Sequence, residues 1–170
     1  MGHTILTSER LVLKEFTLKD AAFIMELMNS PGWLQYIGDR SIHSIGDAEK
    51  YLKEGPIASY TLHGFGLWKI ESKSDGIPVG MCGLLQRDYL KDPDIGFAML
   101  PAQSGRGYAK EAILATLKRA FFHMGLSRVL AVAQPDNKAS ISLLGKVGFE
   151  FDKKICPDQQ ELNLYECKCL

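Results

Sequence analysis

Apolar residues recur along the chain with two different periods, and the change from one to the other marks out the elements. In RLVLKEF, residues 10–16, Leu11 and Leu13 alternate with polar or charged neighbours, the period of a half-buried strand. From residue 18 the spacing lengthens: Ala21, Ile24, Met25 and Met28 share one face of a helix over 18–28, which Asn29-Ser30-Pro31-Gly32 should end. A short helix is predicted over 47–53. Between the two, Trp33, Tyr36 and Ile37 follow no clear period; such aromatics either wall a substrate pocket or pack a core under a loop. GFGLWKIE (64–71) and VGMCGLLQRD (79–88) read as antiparallel strands about the turn-rich SKSDGIP, and DIGFAML (94–100) as another. The longest helix follows, then a strand over 128–134, a helix over 138–147, and strands over 150–155 and 161–168. The order β-α-α-β-β-β-α-β-α-β-β predicts an α/β (α+β) fold, a mixed sheet with helices packed on it.

Composition narrows the picture without redirecting it. With 170 residues, 46% hydrophobic and 24% charged, and no repeats or linkers, the chain suits one compact domain. Twenty basic and twenty acidic side chains cancel, which gives no electrostatic reason to expect a nucleic acid or an anionic membrane as partner. The opening residues resemble neither a signal peptide nor a membrane span, so a cytoplasmic location is expected. Cys82, Cys156, Cys167 and Cys169 are too few and too unevenly placed for a disulfide framework. No second Cys/His pair with zinc spacing accompanies Cys167 and Cys169, and the four histidines are scattered, so no metal is expected.

The stretch DIGFAMLPAQSGRGYAKEAILATLKRAFFHMG carries the chemistry. A buried-looking strand stops at Pro101, and a glycine-bearing loop feeds directly into an amphipathic helix that packs Ala109, Ala112, Ile113, Leu117, Ala120, Phe121 and Met124, with Gly125 as its cap. The N–H groups of a helix's first turn lack partners and the peptide dipoles add positive charge, so Ser104-Gly105-Arg106-Gly107-Tyr108-Ala109 suits a phosphate. Gly105 and Gly107 let the backbone approach an anion with no Cβ in the way, and Arg106 and Lys110 add charge. The same turn also reads as a plain tight connection. A nucleotide-hydrolase P-loop is absent, and a dinucleotide fingerprint fails because Lys110 stands where its third glycine belongs.

These residues resemble the GNAT superfamily of acyl-CoA-dependent N-acyltransferases, in particular its ribosomal-protein N-terminal acetyltransferase branch. TSERLVLKEFTLKDA resembles that branch's first strand and helix, DIGFAMLP its fourth strand, SGRGYAKEA its pyrophosphate loop and PDNKASISLLGKVGFE its second signature block. The resemblance implies a single N-acetyltransferase domain over 8–170, with a mostly antiparallel sheet split like a V between strands 4 and 5. It implies acetyl-CoA as cosubstrate, its pantetheine arm on the fourth strand, where Met99 and Leu100 stand, and its pyrophosphate on backbone N–H groups of Gly105, Arg106, Gly107, Tyr108 and Ala109. The family's loop pattern asks for Gln or Arg where Ser104 stands. Asn137 corresponds to an Asn that contacts the cofactor arm, although it or Asp136 would equally cap the following helix.

The resemblance further implies direct attack of a neutral amine on the acetyl carbonyl, with a backbone N–H of the fourth strand meeting the oxyanion. Ser140, one helical turn beyond Asn137, is the expected proton donor to the leaving thiolate; where many members carry a Tyr four residues later, this chain has Leu144. Lys146 reads either as a phosphate contact or as a solvated surface lysine. Cys82 reads as a buried structural cysteine in preference to a covalent nucleophile. Glu71 and Asp94 are the candidate bases. Trp33, Tyr36, His43, Trp68 and Tyr89 are candidates for the acceptor pocket. The acceptor is expected to be a peptide N-terminal α-amine, with a small-molecule amine as the alternative, and a non-catalytic CoA-binding module as the reading outside enzymes. The chain is expected as a monomer or homodimer.

Overall fold

The computed structural model describes residues 2–170. Eight strands form one sheet, in the order β1-β2-β3-β4-β5-β6-β8-β7. β1 (Thr4–Thr7) and β2 (Leu11–Glu15) make a hairpin at one edge; the sequence pattern had given only the second of them. β3 (Leu67–Ser72), β4 (Pro78–Leu85) and β5 (Asp94–Met99) extend the antiparallel run. β6 (Arg128–Ala133) joins β5 in parallel, and β8 (Leu162–Lys168) and β7 (Glu150–Ile155) complete the sheet antiparallel. Because the hairpin adds a strand, the fourth and fifth strands of the sequence reading are β5 and β6.

Both faces of the central strands are covered, as the continuous burial of β3 and β4 requires. On one face α5 (Tyr108–Phe122) turns Ala112, Ile113, Leu117 and Ala120 against Ile70, Cys82 and Leu84. It is also the crossover that a parallel β5–β6 pair needs. On the other face Leu67 and Met81 meet α1 (Ala21–Met28), α2 (Pro31–Tyr36) and α3 (Ile45–Leu52). Lys69 faces the same way, buried, and it donates to Asp20 at 2.7 Å.

Proline placed two of these elements where sequence rules would have stopped a helix. The turn after α1 ends in extended Ser30, and Pro31 then opens α2 at its first position, where the missing N–H costs nothing. Trp33 is thereby carried inward. After α3, whose Ser44 side chain accepts from Asp47 N–H at 3.0 Å, the chain does not stop at Gly55-Pro56. It widens into one π-helical turn, Lys53–Ile57, and continues as α4 (Ala58–His63) until Gly64 at φ +76°. Tyr60 of α4 donates its hydroxyl to the Leu67 carbonyl and accepts from Phe16 N–H at 3.0 Å, which ties this helix to β2 and β3. The last helix, α6, runs Lys138–Lys146. No helix of the described residues is long and apolar enough to cross a membrane.

Candidate active site

The parallel pair β5–β6 is joined at one place only, Asp94 opposite Leu130, with Leu130 N–H donating to the Pro93 carbonyl at 2.9 Å. Beyond it the strands separate. Leu100 N–H donates to Val79 O at 2.9 Å, which sets the phase of the β4–β5 ladder. Antiparallel pairs alternate, so Asp94, Gly96 and Ala98 bond to β4, while the main-chain groups of Ile95, Phe97 and Met99 face the gap. A cleft of 760 Å³ occupies that gap and extends beneath α2 and the π-helical turn. Met99 lines it. Leu100 does not: its N–H is spent on Val79 and its carbonyl accepts from Gln103 N–H at 2.9 Å.

At the far end of β5 a short 3-10 turn, Pro101–Gln103, leads into the glycine loop. Gly105 and Gly107 both stand at φ +79°, a left-handed conformation that other residues adopt only under strain. Gly107 is the N-cap of α5, and the first helical bond runs from Glu111 N–H to the Gly107 carbonyl at 3.1 Å. The N–H groups of Tyr108, Ala109 and Lys110 therefore have no acceptor within the helix. A Cβ on Gly105 would meet nothing within 4 Å, so the loop presents open backbone. Arg106 and Lys110 are exposed, and Ser104 and Ala109 line the cleft.

The loop is braced by three residues that sequence reasoning did not single out. Glu111 accepts from Ser8 Oγ at 2.6 Å and from Arg10 N–H and Nε, each at 2.7 Å. Arg10 also donates from Nη1 to the Arg106 carbonyl at 2.9 Å, and its guanidinium lies 4.8 Å from the centre of the Tyr108 ring. Burial pushes the Glu111 carboxyl up, but the Ser8 hydroxyl and Arg10 outweigh it and hold the group below its usual range. The spacing Ser8-x-Arg10 just before β2 was the visible signal, but its partner lies about a hundred residues away.

On the opposite wall Asn137 caps α6, its Oδ1 accepting from Ser140 N–H at 3.2 Å, and both residues line the cleft. The cap therefore exists, and it leaves the amide nitrogen of Asn137 for another partner. Leu144 is buried in the core beneath α6, and the cleft is lined instead by its neighbour Leu143.

A forked sheet, an unpaired β5 edge and a glycine turn opening a helix form one continuous channel. Residues 10–150 match the family of acetyltransferase (GNAT) domains. The chain belongs to that family. Uncharacterized N-acetyltransferase YoaA of Bacillus subtilis (strain 168) is 30% identical over 149 residues, covering 86% of this chain and 82% of the relative. Among solved structures, RimL, the ribosomal L7/L12 alpha-N-protein acetyltransferase in complex with coenzyme A, superimposes with a TM-score of 0.83 at 16% identity, covering 98% of each chain. Microcin C7 self immunity acetyltransferase MccE, in complex with acetyl-CoA and AMP, does so with a TM-score of 0.80 at 17% identity, covering 95% of this chain and 94% of that one. These two likenesses concern the fold.

Within this GNAT acetyltransferase the remaining candidates separate sharply. Cys82 is fully buried, its thiol pushed by burial up to about 12, with Thr116 Oγ1 at 3.5 Å. A thiolate nucleophile is thus disfavoured. Glu71 lies outside the cleft; burial raises its carboxyl, but Lys14 at 2.7 Å and Lys69 at 2.9 Å overcome this and hold it low. Asp94 is fully buried at the closed end of the fork, where burial lifts it to about 6 although Arg87 Nε lies 3.0 and 3.1 Å from its two oxygens. Trp33 and Tyr36 line the cleft, and Gln134 Nε2 donates to the Tyr36 carbonyl at 3.0 Å, linking α2 to the end of β6. His43 and Tyr89 are exposed away from it, and Trp68 is core. Among the described residues, no Asp, Glu, His or Lys side chain lines the cleft.

Proposed function

We propose that residues 8–170 act as one N-acetyltransferase domain that moves an acetyl group from acetyl-CoA to a primary amine by direct attack, with a peptide N-terminal α-amine as acceptor. The observation that carries this reading is the unpaired edge of β5 running into the first turn of α5. Both parts fit the cosubstrate: the gap leaves main-chain groups of Ile95, Phe97 and Met99 for an amide-bearing arm, and the open backbone at Gly105 and Gly107 admits a diphosphate. The N–H groups of Gly105, Arg106, Gly107, Tyr108 and Ala109 would hold the diphosphate, and the amide nitrogen of Asn137 the arm. Acetyl-CoA supplies an activated thioester carbonyl. A β5 N–H facing the gap would stabilise charge on the carbonyl oxygen, and the Ser140 hydroxyl would give a proton to the leaving sulfur. The Leu100 N–H is not free for such a role, being spent on the Val79 carbonyl.

The acceptor preference rests on the missing base. An α-ammonium has a reference pKa of about 7.7–8.0 and a lysine about 10.4, so deprotonating the latter costs roughly 3.4 kcal/mol more at fixed pH. A cleft whose lining has no carboxylate or imidazole suits the first. A small amine of low pKa meets the same condition, and MccE, which has a similar fold, is in complex with acetyl-CoA and AMP.

Calorimetry with coenzyme A should give a binding heat that Gly107→Glu abolishes while the fold persists. Thiol release should be at least about tenfold faster with α-amine peptides than with lysine peptides, in the direction of the pKa gap, with aminoglycosides and polyamines completing the panel. No heat with folded wild-type protein refutes the cosubstrate; comparable acetylation of an internal lysine refutes the acceptor.

A further inference from the structure

Two arginines interrupt the apolar lining of the cleft. Arg87 follows β4 and binds Asp94, at the opposite end of β5 from the glycine loop. Five strand steps separate Asp94 from Met99, about 17 Å, so Arg87 is out of reach of a diphosphate held at Gly105–Gly107. Arg40, from the loop after α2, lines the same cleft and has no carboxylate within 4.0 Å among the described residues. Arg40, Arg87 and Tyr51 of α3 line the same cleft; burial raises the Tyr51 phenol, and the two guanidinium charges oppose that rise. Asp94 balances one of the two charges from behind. The lining thus carries two guanidiniums, that of Arg40 exposed, and no carboxylate among the described residues.

We propose that Arg40 and Arg87 form an anion subsite for the acceptor, which selects primary amines carrying a carboxylate or phosphate a few bonds from the nitrogen. This rests on the acetyl-transfer reading and adds the substrate's second group. The chemistry of the amine points the same way. The acceptor's own anion would hold its ammonium charged, and guanidiniums that pair with that anion offset this effect in a cleft whose lining has no base. An acceptor without an anionic group would face the same guanidiniums with nothing to hold it. The anion comes either from a free small molecule or from an acidic side chain near a peptide's N-terminus, and both present the same oxygens to a guanidinium.

The test uses matched pairs in a thiol-release assay with acetyl-CoA: phosphoethanolamine against ethanolamine, an amino acid against its amide, and a peptide with glutamate in second place against its glutamine counterpart. The anionic member of at least one pair should show a kcat/KM about tenfold or more higher, the range of one charge-assisted contact. Arg40→Gln should cut that ratio at least about fivefold through KM, with coenzyme A binding heat and thermal midpoint unchanged. Since Arg87→Gln alone strands a buried carboxylate, the double variant Arg87→Gln/Asp94→Asn supplies the second reading, and it should cut the ratio likewise. Preference in the small-molecule pairs or in the peptide pair identifies the source. Ratios within about twofold in every pair, ratios untouched by Arg40→Gln, or coenzyme A binding with no turnover of any amine overturn the subsite. Absence of coenzyme A heat overturns the acetyl-transfer reading itself and is seen separately.

Discussion

Replacing Glu111 by Gln tests whether the brace on the glycine loop is mechanical or incidental. The substitution keeps the shape and one acceptor oxygen, which continues to serve Ser8 Oγ and Arg10 N–H. It puts an N–H₂ where Oε2 now meets Arg10 Nε at 2.7 Å, so donor faces donor and a charge-assisted bond is lost. Such a bond contributes about 1.5–3 kcal/mol when shielded. Arg10 is 45% exposed and regains water, which discounts the loss to about 1–2 kcal/mol. In a chain of this length each kcal/mol moves the thermal midpoint by about 2–4 °C, so a fall of roughly 2–8 °C is expected. Freeing Arg10 also releases its bond to the Arg106 carbonyl, so coenzyme A affinity should weaken several-fold. Because the carboxyl is held below its usual range, its contribution is present above the unfolded pKa and is lost as pH falls through the folded value. The gap between wild type and variant should therefore close in acid. A double-mutant cycle with Arg10→Ala decides the matter: effects additive within about 0.3–0.5 kcal/mol would refute the brace, whereas a coupling of about 1 kcal/mol or more supports it.

Three further outcomes follow from the same geometry. Gly105→Ala and Gly107→Ala each force a side chain to φ +79°, at about 1–2 kcal/mol, and denaturant midpoints should register it in both. Only at Gly107 does the new Cβ come within 3.3 Å of Arg10 Nη2, so coenzyme A binding should suffer more there; equal losses would argue against the contact. Asp94, lifted to about 6, holds its proton in the fold where the unfolded chain has lost it, so wild-type stability should fall relative to Asp94→Asn as pH rises from about 4 to 6. That fall should be on the order of 3 kcal/mol in denaturant titrations, and a flat difference would refute the buried-carboxyl assignment. Ser140→Ala should lower kcat with coenzyme A affinity kept, and an unchanged kcat would remove Ser140 from proton transfer.

What the sequence disclosed and what it withheld divide by the range of the interaction. The α5 region was legible because strand stop, glycine turn and apolar helical face all lie within thirty residues, and local rules cover each of them. Strand order along β3, β4 and β5 was legible for the same reason, since each pairs with its neighbour in the chain. β1 was not: four residues at an edge, half-exposed on both sides, carry no alternation to read. α2 and α4 were hidden by proline and glycine, whose rules describe isolated helices, whereas here Pro31 begins a helix and Pro56 sits in a π-helical turn packed against the sheet.

Those hidden elements are the ones that wall the acceptor end of the cleft. Pro31, Trp33, Tyr36, Gly55, Pro56 and Ser59 all line it, Arg40 reaches it from a loop with no period, and Arg87 from just beyond β4, which ends at Leu85 short of the strand read over 79–88. The half of the site that grips the cosubstrate is built from one contiguous segment plus α6, so its chemistry shows in the order of residues. The half that would choose the amine is assembled from four separate stretches that meet only when the helices on that face close over β4 and β5. Exchanging those stretches between members would leave the β5 edge and glycine loop intact, and so one fold can keep its acyl donor while its acceptors diverge.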